Sequence, residues 1–140
     1  MIEFISKNDF IIENPVKYKA WIKKIIQSEN KELGEIIYTF CDDKFLDELN
    51  QQYLNHTDFT DIISFDSTIG NIISGEIFIS IERVKENAIK YKVDFQEELL
   101  RVMAHGILHY CGYKDFTEEE IAEMREKENE KTKLFHVEQF

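Results

Sequence analysis

Phe95-Gln-Glu-Glu-Leu-Leu-Arg-Val-Met-Ala-His-Gly-Ile-Leu-His-Tyr-Cys111 is the stretch on which the reading of this chain turns. Leu99, Leu100, Val102, Met103, Ala104, Ile107 and Leu108 make it apolar nearly all round, so it is expected to be the central, most buried helix. Asp94, with Glu97 three residues on, reads as its cap. His105 and His109 share one face of that helix. Four residues place them about 6 Å apart along the axis, close enough for two imidazoles to converge on one ion. Gly112 can take the left-handed conformation that ends a helix, and the reversal would swing Asp115 back towards the rings. Two imidazoles and a carboxylate with a fourth position open form the donor set of a catalytic zinc site. His105, His109 and Asp115 are therefore expected to hold one zinc ion per chain, or another divalent metal.

Competing readings of the same residues are weaker. A structural zinc usually takes four protein ligands, often cysteines. Cys111 lies two residues past His109, about 200° round a continuing helix, and reads as a core residue. Glu98, seven residues before His105, shares nearly the same face and is a candidate to accept a hydrogen bond from a ligand imidazole. His56, in a polar loop, and His136, in the tail, read as surface residues. The spacing also resembles zinc proteases whose third ligand follows a helix-ending glycine. Those enzymes place Glu directly after the first His to activate water; here Gly106 stands there, which removes the usual proton acceptor. No side chain is assigned as the general base, and the reacting group is expected to be water on the ion.

Outward from this helix, the alternating apolar pattern predicts strands at Ile2-Glu-Phe-Ile-Ser6, Glu35-Ile-Ile-Tyr-Thr-Phe40, Asp61-Ile-Ile-Ser-Phe65 and 72–79. In the last, Ile73, Gly75, Ile77 and Ile79 share a face, and Gly75 suggests a close backbone approach or a bulge. Asn14-Pro15 reads as a capped helix start, with the helix running to about Glu29 over Trp21, Ile22, Ile25 and Ile26. Gly34 is expected to separate that helix from the second strand. Further helices are expected from Asp42 or Asp43 to about Tyr53 (burying Phe45, Leu46 and Leu49) and from a Ser80 cap to about Tyr91 (burying Val84, Ala88 and Ile89). A capping box at Thr117 and Glu120 opens a last helix to about Thr132, with a frayed tail beyond. Residues 54–60 read as a loop. The whole, residues 1–140, is expected to be a single α+β domain. A mixed, mainly four-stranded sheet would be covered mostly on one side by about five helices, with the metal-site helix buried at the centre.

At 140 residues with 43% apolar and 13% aromatic content, the chain is long enough to bury one proper core. No apolar run approaches the ~18 residues of a membrane span, and no short apolar signal segment opens the chain, so a cytoplasmic protein is expected. Two cysteines, Cys41 and Cys111, fit a reducing compartment. The net charge of −11 argues against an indiscriminate nucleic-acid binder, whose phosphate contacts depend on Lys and Arg. It leaves room for a local basic groove or for a divalent cation in a cleft.

The segment His105-Gly-Ile-Leu-His-Tyr-Cys-Gly-Tyr-Lys-Asp115 resembles the signature of the YbeY family, written His-Gly-x-Leu-His-x-x-Gly-Tyr-Asp-His. Gly106, the residue that breaks the protease pattern, is part of the match. Asn50 and Tyr53, Thr60-Asp-Ile-Ile-Ser-Phe65, Ser74-Gly-Glu-Ile-Phe-Ile-Ser80 and Asn87-Ala88 resemble further stretches of the same family. The resemblance implies a cytoplasmic, single-strand-specific, metal-dependent endoribonuclease. Its expected work is ribosomal RNA processing, including maturation of the small-subunit RNA 3′ end, and ribosome quality control. Ribosomal RNA and small-subunit ribosomal proteins are the implied partners, and no membrane is. It also implies a zinc-like ion on His105, His109 and Asp115, although the family's third ligand is commonly His. Many members carry Arg after the family's tyrosine, where this chain has Leu54; Arg101, Lys114 or Lys85 are the candidates to supply a cation to RNA in its place. A metal-stabilised ribosome-assembly factor that does not cut, and another zinc-dependent hydrolase such as a peptidase, are the alternative readings.

Overall fold

The computed structural model describes residues 1–54 and 61–137, with Leu54 described by its backbone alone. The loop expected at 54–60, including His56, lies outside the described side chains. Four strands, β1 (Ile2–Ser6), β2 (Glu32–Cys41), β3 (Ile62–Asp66) and β4 (Ile72–Ser80), form one sheet in the order β1-β2-β4-β3. β1 and β4 run parallel to β2, and β3 runs antiparallel to β4 as an edge strand. Among the described residues five α-helices accompany them: α1 (Pro15–Ser28), α2 (Asp43–Leu49), α3 (Ile81–Tyr91), α4 (Phe95–Tyr110) and α5 (Glu118–Phe135). A single π-helical turn, Asn50–Leu54, continues α2. The sheet is mixed and the fold is α+β, as expected.

The main core lies on one face of the sheet. Ile73, Ile77 and Ile79 of β4 meet Leu99, Leu100, Met103 and Ile107 of α4, with Trp21, Ile22, Ile25 and Ile26 of α1 beside them. α4 contributes ten buried residues, more than any other helix, and is the central one. Two glycines set how closely it approaches. A Cβ on Gly106 would lie 2.9 Å from Ile77 Cδ1 and 3.3 Å from Ile62 Cδ1, and one on Gly75 would lie 2.6 Å from the Tyr110 ring. Helix and sheet therefore touch where side chains would hold them apart. A smaller cluster, Cys41, Leu46 and Ile63 with Leu49, Phe65 and Phe78, covers part of the opposite face under α2.

Several local expectations are corrected. Asn14 is left-handed (φ 54°) and makes no side-chain cap, so only Pro15 marks the start of α1. Gly34 lies inside β2, which begins at Glu32, because parallel pairing with β4 extends through it past a bulge. Phe45 and Ile89 are exposed, being on the flanks of helices whose inner faces are Leu46 and Val84 with Ala88. Asp94 makes no side-chain cap, and Glu97 reaches His136 instead. α5 continues past Thr132 to Phe135, whose ring is buried against Tyr18 and Trp21. Those two contacts repay the ordering of the last turn. The capping box at Thr117 and Glu120 forms as the sequence indicates.

Candidate metal centre

α4 ends in a Schellman arrangement, which is what brings Asp115 to the histidines. The Gly112 amide donates to His109 O (3.0 Å) and the Tyr113 amide to Leu108 O (3.1 Å), with Gly112 at φ 108°. The chain reverses there. His105 Nε2 and His109 Nε2 then lie 2.9 Å apart, with their rings nearly perpendicular at 83°. Asp115 Oδ2 is 3.4 Å from the first and 3.3 Å from the second. Among the described residues these three form a group able to hold a metal ion.

The donor chemistry fits that use. His105 Nδ1 lies 2.6 Å from Glu128 Oε2, and His109 Nδ1 lies 2.9 Å from Tyr113 O. A carbonyl accepts, and so does a carboxylate, so both contacts favour the tautomer with its proton on Nδ1 and a lone pair at Nε2. Two lone pairs facing across 2.9 Å repel unless a proton or a metal ion lies between them. Zinc with ligand bonds of about 2.0–2.1 Å sets tetrahedral neighbours about 3.3 Å apart, close to both separations from Asp115 and somewhat longer than the N–N separation. Asp115 is about one-third exposed and His109 nearly so, whereas Glu128 is buried. The group thus opens to solvent on one side only.

Behind His105 lies a charge network. Arg101 donates to Glu98 through Nε (3.1 Å) and Nη2, and Nη1 reaches Glu128 Oε1 at 3.4 Å. Its Nη2 also lies 3.8 Å from Asp61 Oδ2. Glu98 and Glu128 are both 2% exposed, and the Arg101 guanidinium is what allows two carboxylates to stay buried side by side. Burial works against the Arg101 cation, but the surrounding carboxylates outweigh it and raise its proton affinity further. Burial raises the Asp61 carboxyl above its ordinary range, with Arg101 and His105 partly offsetting it.

Set against the expectations, His105, His109 and Asp115 come together. Glu98 does not accept from a ligand imidazole: it pairs with Arg101, and Glu128 of α5 takes the place expected of it. Sequence spacing could not have found Glu128, which lies 23 residues beyond His105 on another helix. Arg101 is committed to three carboxylates, while Lys114 is exposed one residue before Asp115. Lys85 lines a cleft of about 850 Å³ with Phe10, Phe95 and Gln96, at the opposite end of α4 from His109. Cys111 packs against the core, its thiol pushed up to about 11 by burial.

The family model described as Endoribonuclease YbeY matches residues 3–136. A protein named Endoribonuclease YbeY from Flavobacterium psychrophilum is 58% identical over 139 residues, spanning 99% of both chains. Its counterpart from Christiangramia forsetii is 55% identical over 138 residues, spanning 99% of this chain and 96% of the other. Among solved structures, the solution structure of TM1509 from Thermotoga maritima superposes with a TM-score of 0.69 at 27% identity, covering 96% of this chain and 89% of that one. With a family model spanning nearly the whole sequence and relatives more than half identical end to end, this chain belongs to the YbeY endoribonuclease family.

Proposed function

We propose that this protein is a zinc-dependent endoribonuclease that hydrolyses phosphodiesters of single-stranded ribosomal RNA in the cytoplasm. Maturation of the small-subunit RNA 3′ end and ribosome quality control are the processes it would serve. The observation that carries the reading is the convergence of His105 Nε2, His109 Nε2 and Asp115 Oδ2 within 3.4 Å of one another, in a chain whose relatives are named endoribonucleases. Zinc held there would supply Lewis-acid activation of water and of a phosphoryl oxygen. The protein's own part is positional. Glu128 and the Tyr113 carbonyl keep both Nδ1 protons in place, so that both Nε2 atoms stay free to ligate. Lys114, exposed beside Asp115, is the candidate to meet an RNA phosphate. No helix among the described residues is long and apolar enough to cross a membrane.

The test is cleavage of a single-stranded small-subunit RNA 3′-end fragment by the wild type and by His109→Ala, with metal content measured on both under stringent nuclease controls. Loss of zinc and of cleavage together is expected. Full cleavage by a metal-free variant overturns the reading.

A second reading is favoured by one observation, the commitment of Arg101 to Glu98, Glu128 and Asp61, in a chain that has Leu54 where the family resemblance implies Arg. It is a metal-stabilised assembly factor that binds ribosomal RNA or a small-subunit ribosomal protein without cutting. Leu54→Arg separates the two: a gain over a measurable wild-type rate supports the enzyme, whereas no cleavage by either protein supports the factor. The peptidase reading has no such support, because Gly106 occupies the position of the base and a side chain there would press on Ile77 and Ile62.

A further inference from the structure

We propose that Lys131 of α5, acting through Glu29 and Tyr113, fixes the orientation of His109 and thereby the affinity of the site for its metal. The inference rests on the reading that His105, His109 and Asp115 bind a metal. Lys131 is 1% exposed, and burying an ammonium is costly unless its partners are well placed. A methionine of similar length would avoid that cost. The partners here are Glu29 Oε2 at 2.7 Å, Ser28 Oγ at 2.8 Å and Glu130 Oε1 at 3.2 Å. Trp21 Nε1 donates to the Lys131 carbonyl at 2.7 Å, which holds the backbone of that turn against α1.

The link then continues to the site. Glu29 uses its other oxygen, Oε1, to accept from the Tyr113 hydroxyl at 2.7 Å. The Tyr113 carbonyl in turn accepts the Nδ1 proton of His109 at 2.9 Å. Tyr113 is thus clamped by its side chain at the end of α1 while its backbone orients a ligand. Asp115 lies two residues farther along the same reversal. Glu128 and Lys131 are three apart on one buried face of α5. The first holds the His105 proton directly, and the second holds the His109 acceptor through two intermediaries. Neither helix residue touches the metal position; both are positioning residues.

The experiment compares Tyr113→Phe, Glu29→Gln, the double variant and Lys131→Met with the wild type. Zinc affinity is read by competition with a chromophoric chelator, and the His105 and His109 ring protons are read by NMR on the metal-free protein. Tyr113→Phe and Glu29→Gln are each expected to weaken zinc binding about tenfold, at the lower end of the range for groups that orient a ligand. The double variant should be no weaker than either single one, because both cut the same link. The His109 Nδ1 proton signal should change and the His105 signal should not. Unchanged affinity with an unchanged His109 signal overturns the proposal, even if the melting temperature falls. Equal disturbance of both histidines also overturns it, since that marks general loosening. Tyr113→Phe removes one hydroxyl from a half-buried ring, so the answer stands if Lys131→Met fails to fold. Failure of the wild type to bind zinc overturns the metal reading and with it the claim on affinity, and the metal-free His109 signal still decides whether the link orients the ring.

Discussion

His105 Nδ1 lies 2.6 Å from a carboxylate oxygen of Glu128, and that one contact joins the metal-site helix to the last helix of the chain. The carboxylate is buried and its other oxygen faces Arg101. Held between Arg101 and the ring, it fixes the orientation of the imidazole.

Glu128→Gln keeps the shape of that contact and removes its charge. Zinc affinity is expected to fall about 10-fold to 100-fold, measured by chelator competition. The variant also leaves Arg101 with one carboxylate fewer, so a drop in melting temperature should accompany the loss. Unchanged zinc affinity would show that the contact does not tune the ligand.

Asp115 is about one-third exposed, so replacing it should cost the metal-free fold within about 0.5 kcal/mol. Asp115→Ala should lose zinc, since two imidazoles remain. Asp115→His should retain it, because imidazole nitrogen also suits zinc. Its binding should fall off at a higher pH than the wild type's, because a third imidazole must lose its proton before it ligates. Affinity measured between pH 5 and 8 checks both.

Gly106→Glu would restore the residue a zinc protease uses beside its first histidine. No peptidase is expected from it. Its Cβ alone would press on Ile77 and Ile62, and the carboxylate would be buried among apolar side chains. A loss of more than about 3 kcal/mol is expected in urea unfolding, from overpacking and an unpaired polar group together. A variant as stable as the wild type would refute the close approach of α4 to the sheet.

Burial raises the Glu29 carboxyl, but hydrogen bonds from Lys131 and Tyr113 outweigh it and hold it below its ordinary value of 4.5. Its folded-state affinity for a proton is thus lower than its unfolded-state affinity. The stabilisation is complete above the unfolded value and is lost as pH falls through the folded one. Melting curves of the wild type and Glu29→Gln should differ at pH 7 and converge progressively below pH 4.5. A gap independent of pH would rule out an ionised Glu29 as the source.

Much of this molecule was legible in its residues. The two histidines are four apart on one helix, and the glycine and aspartate follow within six residues. Helix geometry and a glycine stop are local, so their spacing alone brings three donor atoms together. The same holds for the strands, for the apolar face of α4 and for the capping box that opens α5. Local expectations failed where a longer-range pairing outweighed the nearby signal. Gly34 reads as a breaker, yet it is carried within β2 by pairing with β4. Phe135 reads as tail, yet it is buried by Tyr18 and Trp21.

Sequence by itself therefore determined which three side chains converge, the helix that carries two of them and the α+β class. Each of those follows from periodicity or from chain reversal over a few residues. Tertiary structure alone decided what holds those side chains in place. Glu128 supplanted Glu98 because α5 crosses α4 at His105, while the Glu98 carboxylate is taken by Arg101 one turn earlier. Lys131 reaches Glu29, and Glu29 reaches Tyr113, across separations of about a hundred residues and of 84 residues. Such contacts depend on how whole helices pack, a property set by the summed shape of the core rather than by any spacing along the chain.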